Sequence, residues 1–426
     1  MQRLRSARSG AKMSRRLSFY ILVGLATVFI FFLALNQHYN NYIEHRLQPI
    51  ISDAELRSRH VKIQQTYTSY IRGTADDATQ YEIQDVIQQQ RRSIEIEMDG
   101  YAYTNGSNLD DFVMEKGGRP LRSIILTSWR SGSTFLGEVI NAHPATYYHY
   151  EPLLDFGIIQ VRGSPLAEMA LQNIEALLKC NYTNMEHYLN FGKLHVWLFN
   201  HNSPLWKQCQ MHKSICWDPR FLNSFCRLFP FQSMKVVRLR LRLVEKLLAQ
   251  ESLGVKVVLL VRDPRGSLQS RSHRDWCPTE PDCSDPALLC ADLVSDFKAA
   301  KKFSKKYPQN FRIVRYEDLS VDPYEYVKDL YKFYGLDLHP NIKRYLDTHT
   351  KTDYGAVSST FRNSKAAPFH WRTDLDFEEV QEIQDACSVA MQLWGYVQAV
   401  NATHQKYFNP ITNFSLDHPV DVNDIF

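Results

Sequence analysis

The chain has 426 residues, with 50 lysines and arginines against 46 aspartates and glutamates, so it carries a net charge of +4 and a pI near 8.5. A hydrophobic content of 44% with 12% aromatics excludes a mainly disordered chain, and 17 glycines and 18 prolines exclude collagen-like and Pro-rich low-complexity classes. So small a charge gives no argument for nucleic acid, and no zinc-finger or RNP-type signature accompanies it.

The first asymmetry is at the amino end. Residues 1–16 hold Arg3, Arg5, Arg8, Lys12, Arg15 and Arg16 and no acidic residue. From Leu17 to Leu35 no residue is charged, and Leu, Ile, Val and Phe dominate. As a helix that run spans roughly 28 Å, close to the hydrocarbon thickness of a bilayer. Arg46 is the only Lys or Arg between this run and Arg57, so the positive-inside rule leaves the amino end cytoplasmic and the rest lumenal. A cleaved signal peptide is the alternative, but the run is long for one and no A-x-A site closes it. The expected organisation is a cytoplasmic tail (1–16), a type II signal-anchor (17–35) and a lumenal stem (36–118). The stem is rich in Gln, Tyr and charge, with a helix predicted over Tyr81–Met98; an added helical domain is the alternative for it.

All eight cysteines fall between Cys180 and Cys387 without a C-x-x-C pair, which favours disulfides over zinc or thioredoxin-like chemistry. Spacing alone marks two local clusters, Cys209/Cys216/Cys226 and Cys277/Cys283/Cys290, and no connectivity. Asparagine sequons at Asn105, Asn181, Asn401 and Asn413 fit the same compartment.

After Arg119 short apolar runs alternate with helical segments. Strands are predicted at Ser123–Ser128, Met234–Leu239, Lys256–Val261 and Phe311–Tyr316, with a further one at Tyr147–Tyr150. Such alternation argues for an α/β fold with a central, mainly parallel sheet, whose ligands sit at the carboxyl ends of the strands.

The first predicted strand runs into Trp129-Arg130-Ser131-Gly132-Ser133-Thr134-Phe135 and a helix. Free backbone amides and the helix dipole converge on an anion in such a turn, and Arg130, Ser133 and Thr134 add donors. An ordinary Ser/Gly turn capping a helix is the alternative for this loop alone. It is no Walker A loop, because the turn has no Lys, which weighs against a P-loop kinase or NTPase. The third predicted strand runs into Arg262-Asp263-Pro264-Arg265-Gly266-Ser267-Leu268-Gln269-Ser270. Two strand ends, each with an Arg followed by a hydroxyl-bearing helix, suit a ligand with two separated phosphate groups.

These motifs resemble those of the Golgi carbohydrate sulfotransferases, the galactose/N-acetylglucosamine/N-acetylgalactosamine 6-O-sulfotransferase family. RSGSTF is similar to the family's 5′-phosphosulfate motif and VRDPRGSLQSR to its 3′-phosphate motif; Asn141–Leu153, KVVRL, RYEDL and the C-x3-M-x3-G-Y of Cys387–Tyr396 also match, in the family's order over 120–400. The resemblance implies a P-loop-like sulfotransferase fold, a catalytic domain over 119–400 followed by a tail over 401–426, type II Golgi topology and the donor 3′-phosphoadenylyl sulfate (PAPS). It assigns Arg130, Ser131, Gly132, Ser133, Thr134 and Phe135 to the phosphosulfate. Arg262 and Ser270 fall to the 3′-phosphate, with Arg265 and Ser267 near it. Thr134 departs from the more usual Ser but keeps the hydroxyl. Nothing between Asp155 and Lys235 carries over, so the acceptor sugar stays open.

Sulfuryl transfer needs the leaving oxygen stabilised, a task for Arg130, and a base for the attacking hydroxyl. Glu151, after the predicted strand YYHY, is the candidate base; a surface or capping carboxylate is the alternative, and His149 and His143 are the next candidates. No metal is expected, since no ligand spacing such as H-E-x-x-H occurs. Arg238 faces either the ligand or a salt bridge. Arg315, Glu317 and Asp318 are expected to form a structural charge network, and Lys301–Lys306 a solvated helix face. The expected partners are a glycan or glycoprotein acceptor and the membrane, not nucleic acid; self-association stays open. The rivals are a protein-tyrosine sulfotransferase, with the same donor and compartment, and a non-catalytic membrane glycoprotein on a nucleotide-binding fold.

Overall fold

Five short runs pair into one sheet, β1 (Leu121–Leu126), β2 (Thr146–Tyr150), β3 (Phe231–Val236), β4 (Val255–Val261) and β5 (Phe311–Arg315), in the order β2-β3-β1-β4-β5 with every pairing parallel. They come from a computed structural model that describes residues 76–103, 107–354 and 359–417. Parallel strands covered on both faces read as near-continuous apolar runs, as VKVVLLV does in β4. β1 and β3 each begin and end before the predicted strands do; their opening residues include Arg122 and Gln232, both buried. Arg122 is held there by donating to the carbonyls of Leu178 (2.7 Å) and Leu253 (2.8 Å), so a charge sits inside a strand that apolar content alone would start later.

The register sets the position of the site. Leu126 lies opposite Val236 on one side and Leu259 on the other, so the chain leaves β1, β3 and β4 along one edge. The Thr127 amide donates to Val236 O at 3.0 Å, and the strand then turns into the first predicted loop. Helices Ser133–Asn141 and Pro264–Ser272 follow β1 and β4. Pro264 occupies the first turn and Asp263 caps it, accepting from the Arg265 amide at 2.9 Å.

A contact division separates Met1–Asp77 from Ala78–Phe426. The predicted anchor at 17–35 and the sequon at Asn105 lie outside the described residues; among those described, no helix is long and apolar enough to cross a membrane. A helix covers residues 76–97, and its Ile83, Val86, Ile87 and Ile94 belong to the same core cluster as the sheet. Steps of three and four from Ile83 to Val86 and Ile87, and of seven on to Ile94, make one apolar stripe. Asn181, Asn401 and Asn413 are exposed.

Four disulfides are present: Cys180–Cys226, Cys209–Cys216, Cys277–Cys283 and Cys290–Cys387. Two close within the clusters marked by spacing; Cys226 and Cys290 reach out of theirs. Cys290–Cys387 ties the long helix Pro286–Lys306 to the helix Phe377–Leu393. On the outer end of the long helix Lys302 and Lys306 pair with Glu245 at 2.7 and 2.9 Å, the solvated face expected there. Arg315 pairs with Asp318 at 2.8 Å, and Glu317 accepts from the Asp263 amide (3.0 Å) and Tyr396 (3.0 Å), a structural network as expected.

Candidate active site

The first loop is built on backbone that few residues adopt. Arg130 has φ 62° and Gly132 φ 85°. A side chain at Gly132 would also meet Tyr316, whose ring lies 2.2 Å from where its Cβ would stand, so the position requires glycine on both counts. Gly132 caps the helix Ser133–Asn141 without a side-chain hydrogen bond, which leaves the first-turn amides to a ligand.

The second loop locks onto the first. Arg262 donates through Nη1 to Arg130 O at 2.6 Å and lies 4.8 Å over the Tyr316 ring; its buried Nε has no hydrogen-bond partner. Arg130 Nε donates to Ser270 Oγ at 3.0 Å. Burial, with Arg274 and Arg262 nearby, lowers the Arg130 pKa to about 10, so the side chain stays cationic at neutral pH. Converging cations, a guanidinium nitrogen of the buried Arg262 without a partner and a helix amino terminus fit a ligand with more than one anionic group. The residues present therefore fit PAPS.

Not every predicted donor ligand faces this space. Arg130, Gly132, Ser133, Thr134, Phe135, Arg262 and Ser270 line one cavity of about 760 Å³. Ser131, Arg265 and Ser267 do not. The Ser131 hydroxyl donates to Ser128 O at 2.9 Å. Arg265, fully buried, donates to both carboxylate oxygens of Asp263 (3.0 and 2.8 Å) and to Gln384 Oε1 (2.9 Å), with its guanidinium 4.1 Å from the Trp371 ring centroid. Arg271, also buried, holds the first loop by donating to Trp129 O (3.1 and 3.0 Å) and Cys283 O (2.8 Å).

Glu151 stands on the same cavity, just past β2, again on left-handed backbone at φ 46°. Two non-glycine residues in that region, at two strand ends of one cavity, are the kind of strain that marks functional sites. Lys235 Nζ donates to Glu151 Oε1 at 2.8 Å and Arg238 Nη1 to Oε2 at 2.6 Å. Burial would raise the Glu151 pKa, but the two cations outweigh it and hold the carboxyl at about 2. Lys235 Nζ is also 3.4 Å from Thr134 Oγ1, so one ammonium touches both the first loop and the carboxylate. Lys235 was not singled out in the sequence; a lysine inside a buried strand was the available signal. Arg238 proves to be both a cavity residue and a salt-bridge partner.

His149 and His143 are buried and neither lines the cavity; burial lowers both pKa values to about 3. They pack against aromatic neighbours, His149 beside Tyr147 and His143 beside Phe231. His349, Asp353, Arg362, Ser364, His370 and Asp374, from late in the chain, also line the cavity. Gln269 joins the last of these to the second loop by donating to Asp374 Oδ2 at 2.8 Å. Among the described residues no group of His, Cys, Asp and Glu is arranged to hold a metal.

The sulfotransferase domain family matches residues 120–395, the stretch that holds the sheet and every cavity residue named above. Mouse carbohydrate sulfotransferase 4 is 28% identical over 344 residues, covering 71% of this chain and 87% of that one. Human carbohydrate sulfotransferase 6 is 27% identical, covering 66% and 82%. A solved sulfotransferase domain from the Synechococcus PCC 7002 olefin synthase, 19% identical, covers 64% of this chain and 95% of its own with a TM-score of 0.37, too loose a match to argue from. On the extent of the family match, which takes in both anion loops and the carboxylate between them, the chain belongs to the sulfotransferase domain family.

Proposed function

We propose that the protein is a PAPS-dependent carbohydrate sulfotransferase that sulfates a sugar hydroxyl, in particular a 6-hydroxyl of N-acetylglucosamine, galactose or N-acetylgalactosamine. The observation that carries the reading is one cavity lined by Arg130, Arg262 and Ser270 together with a Glu151 that Lys235 and Arg238 hold. Bound there, PAPS supplies the sulfuryl group and a phosphate leaving group. Arg130, Ser133, Thr134 and the amides of the first helical turn hold the phosphosulfate and stabilise charge on the leaving oxygen. Arg262 and Ser270 hold the 3′-phosphate. Arg265 and Ser267 act from behind, fixing the second loop.

Glu151 takes the proton of the attacking hydroxyl. A carboxylate with a pKa near 2 is a weak base toward a free alcohol, but the hydroxyl becomes strongly acidic as its oxygen bonds to sulfur. Proton transfer is therefore late, and Glu151 suffices at that stage. Lys235 and Arg238 keep Glu151 deprotonated and aimed at the cavity.

Cellular placement belongs to the same proposal. Residues 17–35 anchor the chain in the Golgi membrane with 1–16 cytoplasmic and the catalytic domain lumenal; the charge asymmetry and four closed disulfides support it. The core position of Ile83 and Val86 supports a spacer shorter than 36–118, ending near residue 77.

The test uses residues 37–426 secreted from a eukaryotic host and given labelled PAPS. Acceptors are N-acetylglucosamine-terminated glycans, a galactose polymer, chondroitin and an acidic tyrosine peptide. Label on a glycan is the expected result. Label confined to the peptide would replace the sugar reading with tyrosine sulfation, and PAPS binding without transfer to any of them would count against it.

A further inference from the structure

Two aromatic pairs stand at neighbouring strand ends beside Glu151: Tyr150 closes β2, Trp129 follows β1, and β3, which ends beside Lys235 and Arg238, runs between them. At one end Tyr150, the residue before Glu151, packs edge-on against Trp197 with centroids 5.9 Å apart. At the other, the Arg238 guanidinium that binds Glu151 lies 5.5 Å from the Trp129 ring centroid, and Trp129 packs edge-on against Trp276 at 6.4 Å. All four rings line the cavity that holds Glu151. Trp197 and Trp276 remain 42% and 39% exposed, so part of each ring is open within the cavity. Ile158 and Val237 continue the apolar surface under Trp129, in a cluster that includes Cys277 and Cys283 beside Trp276.

Polar groups sit among the rings. The Trp129 indole nitrogen is buried without a hydrogen-bond partner, although a buried N–H normally has one. Arg238 links the two strand ends, donating to Glu151 beside Tyr150 at 2.6 Å and lying 5.5 Å from the Trp129 ring. Tyr150 is covered by the stacked His201 ring (3.8 Å) and the Lys235 ammonium (3.6 Å) and Trp129 is buried, so Trp197 and Trp276 are the rings open to a ligand. Flat apolar rings with a few convergent polar groups suit a pyranose, which offers a C–H face for stacking and a rim of hydroxyls. A peptide tyrosine needs one aromatic slot, whereas two partly exposed tryptophans, one packed at the end of β2 and one beside the loop after β1, line this cavity. Trp276, Ile158, Val237 and Trp197 all fall outside the two donor-binding loops, and the volume lies in the upper part of the usual range of about 300–1,000 Å³, room for an acceptor beside the donor.

From this juxtaposition we infer that the acceptor is an oligosaccharide extended on both sides of the sulfated sugar, with Trp197 and Trp276 as flanking sugar subsites and the reacting hydroxyl at Glu151. The inference rests on the carbohydrate reading above. Its chemistry adds nothing to the balance of the transfer: the acceptor O–H becomes O–SO₃⁻, the donor S–O bond breaks, and the proton leaves on Glu151.

The test compares transfer from labelled PAPS by the secreted lumenal protein to galactose/N-acetylglucosamine or chondroitin oligomers of two and six sugars, whichever series takes label. The hexasaccharide is expected to be at least about tenfold better in kcat/KM, the factor of one well-made contact. Trp276→Ala and Trp197→Ala are each expected to raise KM for the hexasaccharide about tenfold with the KM for PAPS unchanged, while Trp276→Tyr and Trp197→Tyr restore most of it. Equal efficiency on two and six sugars would overturn the inference and leave the sulfotransfer reading standing. So would a loss of PAPS affinity in both alanine variants that the tyrosine variants repair, because the rings would then belong to the donor. A preference for long acceptors lost in only one variant would remove the subsite at the other tryptophan and with it the two-sided reading. Absence of label on every glycan would defeat the carbohydrate reading itself, and this inference with it.

Discussion

The two strand-end loops look alike in sequence, each an Arg-bearing turn leading into a helix with hydroxyls, yet they use their arginines in opposite ways. In the first, Arg130 stands on left-handed backbone, hydrogen-bonds the neutral hydroxyl of Ser270 and faces the cavity. In the second, Arg265 turns into the core, where Asp263 neutralises it and Trp371 covers it. Arg262, three residues earlier and at the strand end, faces the cavity instead. A buried arginine with its own carboxylate holds the protein together. One that lines a cavity among other cations, at a helix amino terminus, is placed to meet an anionic ligand.

The sharpest break of this contrast is at Glu151, a carboxylate that is paired like Asp263 yet faces the cavity like Arg130. Glu151→Gln is expected to lower turnover by about 10²–10⁴-fold with PAPS affinity kept, read by steady-state kinetics and donor binding. A variant that loses donor binding instead would make Glu151 part of the donor pocket. Because the folded carboxyl titrates near 2, below its ordinary 4.5, its pairing stabilises the fold fully above about pH 4.5 and loses that effect as pH falls toward 2. Melting temperatures of wild type and Gln variant should converge over that window.

Next, Arg130→Ala is expected to lower transfer by about 10²–10³-fold with the melting temperature nearly unchanged. Arg265→Ala should do the reverse. It leaves Asp263 as a buried uncompensated charge and is expected to lose about 3–5 kcal/mol of stability in denaturant unfolding. If Arg265→Ala folds normally and loses only PAPS affinity, the two arginines are not different in kind.

The smallest effect is expected behind the second loop. Burial and then Asp263 raise the Glu317 pKa to about 7, so ionising it opposes folding. That penalty is absent below about pH 4.5, grows as pH rises toward 7 and is complete above it. Glu317→Gln can keep the bond from the Asp263 amide, and should stabilise the protein by about 1 kcal/mol at pH 8 and by nothing at pH 4. Thermal melts at the two pH values check it.

Much of the fold and half of the site were legible along the chain. The loops after β1 and β4 announced themselves because a strand, a turn and a helix start are local events, recorded in adjacent residues. Glu151 was found the same way, as the residue after a strand. Its partners were not, because Lys235 and Arg238 lie 84 and 87 residues away and meet it only when β3 pairs with β2. The apolar runs located β1 and β3 but misjudged where they begin, since Arg122 and Gln232 are polar residues buried in the core, Arg122 satisfied there by two carbonyls.

By itself, then, the sequence determined the α/β alternation, the parallel sheet and the two anion loops, because periodicity and turn chemistry act over a few residues. Only the tertiary structure decided which way each arginine points, which cysteines leave their local clusters, and what holds Glu151 ionised. Those depend on burial and on charges brought close from distant segments, and neither exists until the sheet has formed.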